Sequence, residues 1–241
     1  MRNKFIHNQT ISITMAEADV FAMEYFMKIC GLNREGVKYQ RMLKQGMEIK
    51  ERIRDSVQIK AVISSFPGNS IEDNTAVFNG VPFHCNAFQR LDPAHVIGVY
   101  VYILTAGIFE MEHDEPILDQ LYADIWGTAY VDAGIEILKK YVENDLEENH
   151  TDHEKITVLS SFGPGFYGMD VNQISSFFEV LDGSKIGVHA RSNSLMLPLK
   201  SCAGFYVAVD DKTDLPDSDC ESCQSEYKNC AFCQTVVKGN S

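Results

Sequence analysis

The sequence predicts an α+β fold built on a mostly antiparallel sheet, and three observations carry that expectation. The hydrophobic period runs helix–helix, then strands, then a long helical region, then one more helix and more strands. That order lacks the βαβ alternation of a parallel sheet. A hairpin signal, Thr75-Ala-Val-Phe78 and Val81-Pro-Phe-His84 around Asn79-Gly80, joins two strands directly, because Asn and Gly tolerate the positive φ of a type I′ turn. The run Val96–Leu104 is apolar on both faces and therefore reads as a central strand, ending at Thr105-Ala-Gly107.

Composition supports a folded chain. The protein has 241 residues, 45% hydrophobic and 23% charged, enough to fill a sizeable core. The formal net charge of −13 argues against nucleic acid, whose phosphates need Lys and Arg to neutralise them. The charge is uneven. Residues 28–60 hold nine Lys/Arg against four Asp/Glu, and residues 110–155 hold fourteen Asp/Glu against three Lys. Two readings stand: solvated helix faces, or a basic patch that meets an acidic partner. The first fifteen residues lack an apolar signal core and no apolar run reaches membrane-spanning length, so a cytoplasmic chain with reduced thiols is expected.

Residues 1–56 form an N-terminal helical region. Ile11 and Ile13 alternate in a polar start. Thr14 with Glu17 three residues on has capping-box spacing, and Gly31 is a natural stop for the helix that follows. A second helix is expected from about Glu35 to Asp55, with Leu43, Met47 and Ile53 inward. Residues 57–210 form the α+β core. Its first strand alternates through Val57, Ile59, Ala61 and Ile63, and Pro82 marks an edge strand in the hairpin. A helical region opens near Asp114 and reaches Tyr141, where Gly127, Ala129, Ala133 and Gly134 allow close approach of backbone or ligand. Asn144–Glu154 reads as an acidic loop with His150 and His153. Ser161–Gly168 is a glycine-rich turn. Asp170 with Gln173 is a second capping box, for a helix ended by Gly183. Strand segments follow near Ile186–Ala190, Ser194–Leu197 and Ala203–Val209.

Residues 211–241 are a polar tail with Cys220-Glu-Ser-Cys223 and Cys230-Ala-Phe-Cys233. Two C-x2-C pairs can turn four thiolates toward one metal site. Zinc would only staple the tail, and zinc ribbons usually place their pairs more than about a dozen residues apart. The six-residue gap here also suits an iron–sulfur cluster that carries electrons. A disulfide switch is the remaining reading. Cys30, Cys85 and Cys202 read as small buried hydrophobes. His84, His95, His113 and His189 are scattered, and no catalytic residue is named.

The chain resembles the reactivation (activation) domain of cobalamin-dependent methionine synthase, in a stand-alone form with an added four-cysteine tail. The resemblance rests on Ile103-Leu-Thr-Ala-Gly107, Trp126-Gly-Thr-Ala-Tyr-Val-Asp132, Gly163-Pro-Gly-Phe-Tyr-Gly168, Val171–Leu181, Lys185-Ile-Gly-Val188 and the M-x-P-x-x-S-x-x-G spacing of Met196–Gly204. It implies a C-shaped domain with a twisted antiparallel sheet that binds S-adenosylmethionine in a groove. It further implies docking on a corrinoid protein, or on a methionine synthase lacking this domain. The partner carries the cobalamin, whose oxidised cobalt is reduced by a flavodoxin- or ferredoxin-type donor and remethylated. The implied ligand-binding positions are Asp132, Ser161, Gly163, Gly165, Phe166, Tyr167 and Gly168. This chain departs from the family's R-x-x-x-G-Y motif. Ser161 stands in place of the arginine and Phe166 in place of the tyrosine, so a ligand carboxylate needs another partner. The alternatives are a corrinoid-protein adaptor with structural zinc and no S-adenosylmethionine activity, and an unrelated methyltransferase with its own small acceptor.

Overall fold

The computed structural model describes residues 5–32, 35–109, 111, 114–149 and 156–210. In chain order the elements are β1 (Gln9–Ile13), α1 (Met15–Ile29), α2 (Val37–Arg52), β2 (Val57–Pro67), β3 (Ile71–Glu72), β4 (Thr75–Phe78) and β5 (Val81–His84). Then come β6 (Val96–Gly107), α3 (Ile117–Asn149), β7 (Thr157–Val158), α4 (Ile174–Val180), β8 (His189–Ala190), β9 (Met196–Leu197) and β10 (Lys200–Val209). The main sheet runs β1-β2-β6-β10-β7 with every pair antiparallel. It curls into a half barrel, the α+β class expected from the sequence.

β6 is the middle strand, and its double-sided apolarity has a direct cause. Val99, Val101 and Ile103 point into one buried layer with Phe205 and Val207 of β10 and the Phe78–Phe83 hairpin. Tyr100, Tyr102 and Leu104 point the other way, against Leu138, Val142 and Leu146 of α3. β2 starts with alternation, but Ala61, Val62, Ile63 and Ser64 are all buried, because this strand too is covered on both faces.

Local signals explain most element ends. The Thr14 hydroxyl accepts from Glu17 N at 3.3 Å and Glu17 Oε2 accepts from Thr14 N at 2.8 Å, the reciprocal capping box. Asn79 and Gly80 take φ of +52° and +83°, as a type I′ turn needs. β5 with Pro82 lies at the edge of the small sheet β3-β4-β5. The basic stretch meets acids of its own chain. Lys50 pairs with Asp19 at 2.9 Å, and Arg52 pairs with Asp119 at 3.0 Å and with Glu115.

Three expectations are corrected. Asn144–Asn149 is helix, because Leu138, Val142 and Leu146 continue a buried i, i+4 stripe beneath the acids. Gln173 does not close a capping box. The Asp170 carboxylate accepts from Asn172 N at 2.8 Å and opens a 3-10 turn, 171–173, while the Gln173 amide clamps the His84 backbone, accepting from its N at 2.7 Å and donating to its O at 2.9 Å. Gly183 does not end that helix; α4 stops at Val180, and Gly183 begins the next 3-10 turn.

α1 and α2 pack on the N-terminal half of α3. Phe26 stacks on Trp126 with centroids 4.0 Å apart, and Trp126 Nε1 donates to Gly46 O at 2.8 Å. α3 also lies close on the sheet. A Cβ at Gly134 would stand 2.9 Å from Leu104 Cδ1, so this glycine serves helix–sheet approach. Among the described residues no helix is long and apolar enough to cross a membrane.

Candidate functional site

A cleft of about 660 Å³ opens where α3, β10 and the 160–166 loop converge. One wall is a single face of α3: Asp132, Ile135, Glu136 and Lys139 stand at helical spacing. The floor is Ser201, Cys202, Ala203 and Tyr206 of β10 with Tyr102 of β6. The far wall is the loop Ser160–Pro164 with Phe166, and Tyr25 of α1 closes one end. The size suits a ligand of nucleoside dimensions.

The 160–166 loop is held by backbone pairing to β10. Phe162 and Phe205 form an isolated antiparallel bridge. A Cβ on Gly163 would fall 2.4 Å from Ala203 O, so only glycine permits this approach. Below the loop, the Tyr102 and Ser161 hydroxyls share a hydrogen bond of 2.6 Å, and Tyr206 donates to Ile135 O at 2.6 Å.

The electrostatics centre on two carboxylates. Burial first, and Glu136 second, raise the Asp132 carboxyl to about 6. Tyr25 hydrogen-bonds Glu136 at 3.4 Å, and burial followed by these two acids pushes its phenol up to about 12. Burial, then Asp132, pushes the Cys202 thiol up to about 12, so it remains protonated and is a poor nucleophile at neutral pH. Among the described residues no histidine lines the cleft. His84 contacts Thr75, His95 pairs with Asp210 at 2.8 Å, and His189 lies exposed in β8. The arrangement can bind and orient a ligand; the described residues lining it include no base-activated nucleophile.

Of the residues singled out from the sequence, Asp132, Ser161, Gly163 and Phe166 come together on this cleft. Gly165, Tyr167 and Gly168 do not line it. Tyr167 is buried against Phe162 at 5.8 Å, Gly165 is an exposed turn residue at φ +92°, and Gly168, at φ +70°, leaves room for Asn86. Glu136 and Lys139 were not singled out, although i+4 and i+7 spacing from Asp132 could have found them. Tyr25, Tyr102 and Ser201 arrive from other elements through tertiary packing, without a local signal. Cys220, Cys223, Cys230 and Cys233, and the loop histidines His150 and His153, lie outside the described residues. Among the described residues no group of three or more His, Cys, Asp or Glu could hold a metal.

No family model matches the chain, and no curated protein matches it. One solved structure that does match is the crystal structure of the MetH reactivation domain bound to AdoHcy. It is 14% identical, with a TM-score of 0.58 over 90% of this chain and 82% of that one. The chain therefore shares the fold of that reactivation domain, curled sheet and flanking helices included.

Proposed function

We propose that the chain binds S-adenosylmethionine in the α3–β10 cleft and serves as a reactivation partner of a corrinoid methyltransferase, such as a methionine synthase without this domain. The observation that carries the reading is the placement of Asp132 and Glu136 on one wall of a roomy cleft, in a fold shared with a domain whose structure holds AdoHcy. The residues fit the ligand. S-adenosylmethionine bears two positive groups, ammonium and sulfonium, and paired carboxylates in a partly desolvated cleft suit them. Phe166 and Tyr25 offer aromatic faces for the adenine. When bound, the sulfonium supplies an electrophilic methyl group. The chain's own work is to hold that group and keep water from it. The partner's cobalt and an electron donor of flavodoxin or ferredoxin type complete the proposal. The four-cysteine tail is proposed to hold an iron–sulfur cluster, which would carry electrons, or zinc, which would not.

Calorimetric titration of the anaerobically prepared chain with S-adenosylmethionine is the test. Saturable heat at one site is expected, together with restored methylcobalamin on a cob(II)alamin partner once a reductant is added. Absence of both outcomes would leave the adaptor reading, a fold kept without the ligand. Metal analysis and visible absorbance of the same sample separate the tail's two occupants. A colour near 400 nm that dithionite bleaches marks iron–sulfur, and a colourless protein with one zinc marks the clasp.

A further inference from the structure

We infer that Lys139 binds the carboxylate of an α-amino-acid ligand end, so that the α3 wall of the cleft reads a zwitterion. The inference rests on the S-adenosylmethionine reading above and deepens it. Three charged residues line the cleft, and all three lie on one face of α3: Asp132, Glu136 and Lys139. Lys139 is the sole cation among them. Lys28, whose charge acts on Asp132, does not line the cleft, and two further cations are engaged elsewhere. The Lys200 ammonium pairs with Asp124 at 2.7 Å and donates to Thr128 at 3.0 Å, and the Lys140 ammonium lies over the Phe21 ring at 4.7 Å.

Lys139 makes no ion pair or hydrogen bond with the described residues, although Glu136 is one turn away. Tyr25 holds Glu136 instead. Lys139 is partly buried on the cleft wall, where its ammonium can form a charge-assisted hydrogen bond with an incoming anion. Ser161, which faces the same space, is neutral, and its hydroxyl already bonds Tyr102. Among the residues lining the cleft, the cation for a ligand carboxylate therefore comes from α3. The charge pattern also selects the ligand class. Two carboxylates would repel a phosphorylated nucleotide, but they complement an ammonium and a sulfonium, leaving Lys139 for the single carboxylate.

Decarboxylated S-adenosylmethionine, which lacks only that carboxylate, tests the assignment in calorimetric titrations of the full chain. Wild type is expected to bind S-adenosylmethionine about 10- to 100-fold more tightly than the decarboxylated compound, the range of one charge-assisted contact. Lys139→Gln should lose that factor for S-adenosylmethionine while binding the decarboxylated compound within about threefold of wild type, and Lys139→Arg should recover most of it. Equal losses for both ligands in Lys139→Gln would make Lys139 a structural residue and overturn the inference. Unchanged S-adenosylmethionine affinity would overturn it as well. Wild type that binds neither compound would overturn the ligand reading itself, and this inference with it.

Discussion

Burial and the neighbouring Glu136 raise Asp132 from the ordinary 3.8 to about 6, so at neutral pH its ionised form costs the folded chain free energy. The folded state binds this proton more tightly than the unfolded state. Stability from this group therefore falls as pH rises from about 4 to about 6, and the full cost persists above that window. A tenfold difference in proton affinity between folded and unfolded states is worth about 1.4 kcal/mol, so Asp132→Asn should gain about 1–3 kcal/mol near pH 7.5 and almost nothing near pH 4. Urea unfolding of both proteins at the two pH values reads this directly. Equal stability of wild type and variant at pH 7.5 would remove the argument. The same residue predicts ligand behaviour of opposite sign. Binding that needs the carboxylate weakens as pH falls below about 6. A residue that lowers stability while improving binding fits the pattern of functional positions. The sequence marked Asp132 through resemblance alone. Its environment came from Glu136, and through Tyr25 from α1, a helix more than a hundred residues earlier in the chain.

At the scale of elements, most of what was legible was local. The Thr14–Glu17 box, the Asn79-Gly80 turn and the two-faced β6 each carry their cause within a few residues. What was not legible depended on contacts made after folding. Gln173 has the spacing of a capping box, yet its amide is used as a clamp on His84, because α4 lands against β5. The acids after Tyr141 suggested a loop, but three apolar residues spaced four apart were enough to hold the helix on the sheet. The 160–166 loop is the element on which the site depends most. Its course is fixed by backbone contact with β10, with Gly163 against Ala203 and the Phe162–Phe205 bridge beside it. Gly163→Ala forces these backbones apart and should cost about 1–3 kcal/mol, with a further loss of ligand affinity as the cleft wall shifts. Thermal unfolding and titration of the variant check both effects. Wild-type values for both would show that the loop tolerates the displacement and that its close approach has no functional weight.

α3 joins the whole molecule. Tyr122, Trp126 and Tyr130 belong to the layer shared with α1 and α2, and Leu138, Val142 and Leu146 to the layer against the sheet. Ile59 of β2 and Ala106 of β6 complete the helical layer, and β1, which precedes both N-terminal helices, pairs with β2 over five residues. A boundary near residue 56 would cut through this shared packing, which predicts one cooperative unit. Trp126 is the single tryptophan and is fully buried, stacked on Phe26 of α1 and bonded to Gly46 of α2, so its emission reports the helical layer specifically. Far-ultraviolet circular dichroism reports the helices and the sheet together. In urea the two signals are expected to trace one transition with one midpoint. An early Trp126 transition would show that residues 1–56 unfold by themselves. Ligand linkage extends the test to the cleft, whose wall is the same α3 that carries Trp126. At about 100 times Kd, S-adenosylmethionine should stabilise the chain by about 2.7 kcal/mol, and in a single unit both signals must shift by that amount. A shift in the dichroism alone would uncouple the helical layer from the site, although Tyr25 of that layer closes the cleft.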